Sequence, residues 1–527
     1  MEPAQKRIFL VLLLITGVVF GLFIWPNAVA SQDLEMVQAF EPDEAVVVPY
    51  IFQMIAPTGS LNQSLRSFII FEYYYYGFPY FAVSAILLVP FQWLGQIGNI
   101  PLIMLVLRQI VSVLPMLIGL LVLVYLQDGF RSYRSPLLYL FLLSVPAVVQ
   151  NNFWLHPDGI TFLLVVLTIL FLKRDDLRFG RNFLMASFMC GLATATKTIG
   201  AGFFLAVGMT LILGLILKKA SWKPLVGMGS AFLILMAGTF LIANPFLFSH
   251  WARIEFLNIL HKESGVLANG YGVVYARGLS EALPLVRQFF GSVMFLLLSL
   301  GVAIWGAWRG PHRLLQGIIL AWFIPITVIV FNTIHFKFQY WLPAALPLFS
   351  SLVVLLPERL DRASLWRKSL WIQTIIFLVL VFQFGWFLNV DIQGYARRVD
   401  RANGNPNLLF CEKAVQVLAP LPNGPLHVYH DYRIYVPQKT GWVNTTSFDL
   451  LEYGYIQAED FEVLLLTDQR IRDYLSPNLS GIDPHLFALN QQFYRDAKEG
   501  TISGYHLVFR DDYGLVFVRN DLYQQYY

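Results

Sequence analysis

Charge and cysteine are what this chain has least of. Only 13% of its 527 residues are Asp, Glu, Lys or Arg, against 57% that are hydrophobic, and the mean hydropathy is +0.59. So little charge cannot cover a solvated surface, which excludes a soluble globular enzyme and indicates a polytopic α-helical membrane protein. The two cysteines, Cys190 and Cys411, fall in a predicted span and in the polar terminal region, so a disulfide framework is excluded. No internal repeat is visible to support an alternating-access carrier. The net charge of +4 is unevenly spread: 17 acidic and 12 basic residues follow from Asp391, about −5, which leaves the preceding part near +9. Basic residues inside and an acidic domain outside fit the positive-inside rule, and nucleic-acid binding has no support.

Apolar runs are what the chain has in excess. The first, Ile8 to Trp25, follows Lys6 and Arg7 and lacks a convincing cleavage site, so it is expected to be a retained helix with a cytoplasmic N-terminus. Further expected spans are Pro101–Tyr125, Pro136–Phe153, Ile160–Leu172, Phe183–Ala195, Gly200–Leu217, Leu225–Ala243, Val286–Trp308, Leu314–Phe331, Trp341–Leu356 and Leu370–Leu388, about eleven in all. Phe78–Leu94 is left over. If it lies along the outer surface, the basic loops Arg131–Arg134, Lys173–Arg181, Lys218–Lys223, Arg309–Arg313 and Glu358–Lys368 all face the cytoplasm. If it crosses instead, Pro136–Phe153 must fail to cross and Arg131 and Arg134 move outside. The Tyr73–Tyr76 run before it suits an interface. The predicted organisation is a transmembrane domain over 1–390, with outer loops 27–100 and 244–284, and a small α/β extracytoplasmic domain over 391–527. Its β-prone segments are Leu426–Tyr429, Phe461–Leu466, Tyr505–Phe509 and Gly514–Val518. Asn444-Thr445-Thr446 and Asn478-Leu479-Ser480 are formal glycosylation sequons.

That topology gathers polar groups on the non-cytoplasmic face. Asp43 and Glu44 open a run with an apolar helical face just after the first span; carboxylates near hydrocarbon are costly and suggest chemistry, although a helix N-terminus alone favours them. His156-Pro157-Asp158 opens another span, where an imidazole and a carboxylate can ligate a divalent ion or orient a sugar, or simply start a helix. Lys197 sits between apolar segments, placed to pair with a phosphate or to snorkel. Asn244-Pro245 enters a long loop in which Trp251, Ile254, Phe256 and Leu257 make an apolar stripe beside Arg253, as in an interfacial helix. Gly270–Gly272 is expected to be a mobile segment over the site. His335 and Lys337 stand among aromatics, as an anchoring belt or as phosphate ligands.

In this order, Pro42-Asp43-Glu44, His156-Pro157-Asp158, Lys197 before Gly200, Asn244-Pro245 and Tyr340-Trp341-Leu342-Pro343 with Leu346-Pro347 resemble the GT-C superfamily of polyprenyl-phosphate-sugar-dependent membrane glycosyltransferases. The branch is that of protein O-mannosyltransferases, lipid A aminoarabinose transferases and bacterial relatives. The resemblance covers Ile8 to Leu388; the tail matches only in placement. The His-Pro-Pro or Lys-Pro-Pro tripeptide of those branches is absent, and Tyr76-Gly77-Phe78-Pro79-Tyr80 stands in its place, so neither branch's acceptor carries over.

The resemblance implies inverting transfer of a hexosyl or pentosyl group from a polyprenyl-phosphate donor to a hydroxyl on a glycan, lipid or protein acceptor. Asp43 would be the base, with Glu44 beside it. Glu44 and Asp158 would orient the acceptor or hold a divalent ion, with His156 a lesser candidate, and Asp43 with Asp158 would be the ligands of any such ion, Mg or Mn. Lys197, Arg253, His335 and Lys337 would receive the phosphate, and an apolar groove would take the lipid tail. Phosphate leaves readily, so such an enzyme needs mainly a base and cations. A bacterial plasma membrane is expected, since no retention signal is evident and the outer domain is small. Two rival readings are a transporter or flippase of a lipid-linked sugar, for which Arg108 within a span is the feature to test, and a scaffold, which leaves Asp43 and Asp158 without a role.

Overall fold

The computed structural model describes residues 2–269, 278–310, 312–332, 336–356, 370–422, 424–436, 441–447, 451–475 and 484–527. The chain divides into two compact units: the first comprises 1–28, 50–261 and 277–397, the second 29–49, 262–276 and 398–527.

The first unit is helical because its segments are apolar enough to bury or expose to lipid on every side. Among the described residues, seven helices are long and apolar enough to cross a membrane: Pro3–Ala28, Ile100–Asp128, Thr198–Ile216, Trp222–Ala243, Arg313–Asn332, Phe338–Leu355 and Ile375–Val399. A bent pair makes up to eight. The Phe338–Leu355 span is mostly packed inside protein, whereas Trp222–Ala243 leaves most of its surface for lipid. The remaining expected spans are helical too but short or charged at their ends, as in Asp158–Asp175 and Arg181–Thr196.

Two expected spans are broken. Pro136–Phe153 becomes Arg134–Leu143 and Pro146–Asn151, because Pro146 has no N–H to donate and can only start a new helix. Phe78–Trp93 reaches 16 residues, so neither of the two rival segments makes a full-length apolar helix. Val286–Trp308 is interrupted between Leu279–Phe290 and Val293–Arg309, which meet at 81°. The turn is made at Gly291, whose φ of +100° is open to glycine, and a Cβ there would lie 2.6 Å from the Gln383 side chain. Gln383 Oε1 accepts from the Ser292 N–H at 3.0 Å and from its hydroxyl at 2.9 Å, which fixes the bend.

Charges at the helix ends are satisfied locally. Asp175 closes the Asp158–Asp175 helix, and its carboxylate accepts the N–H groups of Phe179 at 2.7 Å, Gly180 at 2.9 Å and Phe183 at 3.2 Å, so it also starts the next helix.

The second unit carries a five-stranded sheet: β1 Leu426–His430, β2 Trp442–Thr445, β3 Val463–Thr467, β4 Tyr505–Arg510 and β5 Gly514–Arg519. The order is β2-β1-β3-β5-β4. β1 runs parallel to both neighbours, and β5 is antiparallel to β3 and β4. β3 and β5 are buried along nearly their whole length, as central strands covered on both faces must be. A buried ion pair fastens the carboxyl ends of β1 and β3: Asp431 accepts from Thr467 N at 2.6 Å and Thr467 Oγ1 at 2.9 Å, and meets Arg470 Nη1 at 3.1 Å.

Candidate active site

Four chain segments of the first unit meet around one carboxylate. Asp158 is the first residue of its helix, behind Pro157, and is 1% exposed. The helix N-terminus favours its charge but cannot by itself offset so much burial. A cation does. Lys197 ends the Arg181–Thr196 helix in an extended conformation, with φ −152° and ψ 128°, and its Nζ reaches Asp158 Oδ1 at 2.6 Å. The same ammonium lies 4.5 Å from the centre of the Tyr340 ring, a cation–π contact of the kind that strengthens with desolvation. The other Asp158 oxygen pairs with His156 Nδ1. His156 Nε2 is 2.8 Å from the Tyr76 hydroxyl, and the Trp154 ring stacks on the imidazole at 4.6 Å and 8°. A neutral imidazole satisfies both contacts by donating from Nδ1 to Asp158 and accepting at Nε2 from Tyr76.

The backbone explains why these groups meet. The long Ile100–Asp128 span contains a π-helical turn, Arg108–Val113, a widened turn that often marks a functional position. Within it the Ser112 hydroxyl accepts from His156 N at 3.2 Å and donates to His156 O at 3.4 Å, which fixes the bend before Pro157. Arg108 in the same turn is buried and donates to the Asn27 carbonyl at 2.7 Å, so it has a structural partner inside the span.

The Tyr76 segment is docked by Gly77. Its N–H donates to Thr196 O at 3.1 Å, and the Phe78 N–H donates to Asn244 Oδ1 at 2.9 Å. A Cβ on residue 77 would sit 1.4 Å from the Ala195 carbonyl oxygen, so only glycine allows this approach.

The other expected site residues are distributed as follows. Asp43 is exposed and Glu44 fully buried, in the first turn of Pro42–Ile55; both belong to the second unit. Arg253 is exposed on the helix His250–Asn269, with Nη1 3.4 Å from Leu247 O and Nη2 3.3 Å from His250 Nδ1. On that helix Trp251, Ile254 and Leu257 are exposed, while Phe256 turns inward with Ala252 and Ile259. The expected stripe is thus divided between two faces. Lys337 caps the helix Phe338–Ser350, its carbonyl accepting from Tyr340 N at 3.1 Å, which places it at the root of the element carrying Tyr340. His335, the Gly270–Gly272 segment and the sequon at Asn478 lie outside the described residues.

Among the described residues, no three His, Cys, Asp or Glu side chains gather at a spacing that would hold a metal ion. Asp158 is engaged by Lys197 on one oxygen and His156 on the other. A divalent ion there would have to displace a cation already in place, so the donors around Asp158 do not fit one.

Sequence reasoning missed four contributors: Tyr76, Trp154, Ser112 and Tyr340 as a cation platform. Tyr76 had a signal, since it opens the stretch standing where the related tripeptide is missing. Trp154 and Ser112 had none, because an indole near a span end and a serine in a span are ordinary.

No family model matches the sequence, and no curated protein matches it. Solved structures do. ArnT from Cupriavidus metallidurans bound to undecaprenyl phosphate superposes with a TM-score of 0.53 at 14% identity, covering 97% of each chain. Its apo state gives 0.53 at 12% identity, covering 98% of each. The Archaeoglobus fulgidus oligosaccharyltransferase, in complex with Zn and sulfate, gives 0.43 at 11% identity over 85% of this chain and 65% of that one, too loose an overlay to bear on the chemistry. Helices apolar enough to cross a membrane and a superposition along almost the entire length lead to one conclusion: this is an integral membrane protein with the fold of ArnT.

Proposed function

We propose that the protein is an inverting glycosyltransferase that moves a sugar from a polyprenyl-phosphate donor to an acceptor hydroxyl at the non-cytoplasmic face of a bacterial plasma membrane. The observation that carries this reading is the buried Asp158–Lys197 pair with Tyr340 and His156 around it, in a fold shared with a protein solved with undecaprenyl phosphate. A dehydrated ammonium is strongly attractive to a phosphate, and Asp158 holds it in one place at the cost of part of its charge.

In the proposed reaction Asp43 accepts the proton of the acceptor hydroxyl as its oxygen bonds to the anomeric carbon. The bond from that carbon to the phosphate oxygen breaks on the opposite face, through an oxocarbenium-like state, and its electron pair leaves with the lipid phosphate. Lys197 stabilises the departing phosphate, with Lys337, Arg253 and His335 as the further candidate cations. Asp158 and His156 set the direction of Lys197 and, with Glu44, orient the acceptor. The lipid tail lies along apolar helix surface.

The test is release of free lipid phosphate from a panel of polyprenyl-phosphate sugars by purified protein, wild type against Asp43→Asn. Loss of a general base predicts a fall of about 10³-fold. Unchanged release by well-folded Asp43→Asn, or no release from any donor, sinks the proposal.

A further inference from the structure

Asp43 follows, with Pro42 between, a carboxylate of the second unit that pairs with two arginines. Glu41 separates the helix Leu34–Phe40 from the helix Pro42–Ile55, and its backbone serves both. Its N–H donates to Val37 O at 2.7 Å, ending the first helix; its carbonyl accepts from Glu44 N at 3.0 Å and Ala45 N at 3.4 Å, starting the second. The turn that Glu41 starts is the one that carries Asp43. The Glu41 side chain, 11% exposed, accepts through one oxygen from Arg398 Nη1 and from Arg401 Nη1, the latter at 2.5 Å. Arg398 is 4% exposed, and the Arg401 guanidinium also lies 5.3 Å from the centre of the Phe40 ring. The far end of the segment is tied as well: Asp33 caps Met36 N at 2.7 Å through one oxygen and accepts from the Tyr435 hydroxyl at 3.0 Å through the other.

An ion pair between loops is often only a fastener, and most fasteners could sit anywhere along the segment. This one holds the single residue whose carbonyl defines the helix start, with Pro42 next to it restricting the backbone before Asp43. We infer that Glu41, gripped by Arg398 and Arg401, is a positioning residue that fixes the direction of the Asp43 carboxylate. The inference rests on the proposed role of Asp43 as base. Chemistry of this kind is sensitive to displacement: a shift of about 1 Å costs about 10²-fold in rate while leaving distant binding contacts intact.

The experiment compares purified full-length wild type, Glu41→Gln, Arg401→Lys, Arg401→Ala and Asp43→Asn with the polyprenyl-phosphate sugar that the wild type accepts. Backbone hydrogen exchange over residues 43–47 is measured on each. Glu41→Gln is expected to lower kcat by about 10²-fold with KM for the donor unchanged, and to speed exchange in that turn. Arg401→Lys, which keeps the charge, restores most of kcat relative to Arg401→Ala. Wild-type kcat in Glu41→Gln, or a loss expressed in donor KM alone, overturns the inference. If Glu41→Gln does not fold, the pair of variants at Arg401, 26% exposed, decides by the same criteria. If Asp43→Asn keeps its rate, the base assignment falls by itself, and unaltered exchange at 43–47 in Glu41→Gln separately refutes the positioning role.

Discussion

The two units handle charge in opposite ways. In the helical unit ionisable groups are few, and the central pair joins a helix start at Asp158 to a helix end at Lys197, against an aromatic face rather than a second carboxylate. In the sheet unit the buried pairs are stitches: Asp431 with Arg470 and Thr467 across two strand ends, Glu41 with two arginines between a loop and a helix end. The difference follows from the surroundings. A charge among apolar helices has no water to retreat to, so one that persists is there for what it does. A charge in a small α/β unit can fasten segments that a modest core would leave loose.

Breaking each kind of pair should therefore have different consequences. On the proposed function, Lys197→Ala is expected to reduce donor turnover by about 10²–10³-fold, read as release of lipid phosphate; Lys197→Arg should retain part of it, because charge survives although geometry changes. Arg470→Ala strands Asp431 in the sheet unit and should cost about 3–5 kcal/mol, measured as faster hydrogen exchange in β1 and β3, with the donor KM little altered. Equal effects of both substitutions on both readouts would erase the contrast.

A smaller change sharpens it. Tyr76→Phe deletes the hydroxyl that meets His156 and is expected to lower turnover about tenfold, the equivalent of one hydrogen bond of about 1.4 kcal/mol to a buried imidazole, without affecting the sheet.

The smallest effect concerns acid. Burial holds the imidazole of His430, at the end of β1, below its ordinary pKa, against its contact with the Asp431 carbonyl at 3.1 Å. The unfolded chain takes up that proton more readily than the folded one, so sheet-unit stability is complete above about pH 6.5 and declines as pH falls below it. Thermal unfolding followed at pH 7.5 and 5.5 should show this decline, and His430→Gln should flatten it.

Much of this was legible in the chain. The apolar runs became helices, and the β-prone segments at 426, 461, 505 and 514 became β1, β3, β4 and β5. β2 escaped because Trp442–Thr445 is four residues long and overlaps the sequon at Asn444, which reads as loop. The bend at Gly291 escaped because hydropathy is blind to φ. Asp158 and Lys197 stood out singly as costly charges, but nothing in a spacing of 39 residues says that they touch. Likewise the grouping of residues 29–49 with the terminal sheet depends on Asp33, Glu41 and partners some 360 to 400 positions away in sequence, and local patterns carry no such information.

The widened turn at Arg108–Val113 makes the span sensitive to its own length. It amounts to one surplus residue in an otherwise regular rod, and each residue turns a helix by about 100°. Excising one residue there would heal the rod into ordinary pitch and swing the Ser112 hydroxyl away from the His156 backbone. A deletion inside a greasy segment, invisible to any hydropathy profile, would thereby release the backbone of a histidine 44 residues further along the chain.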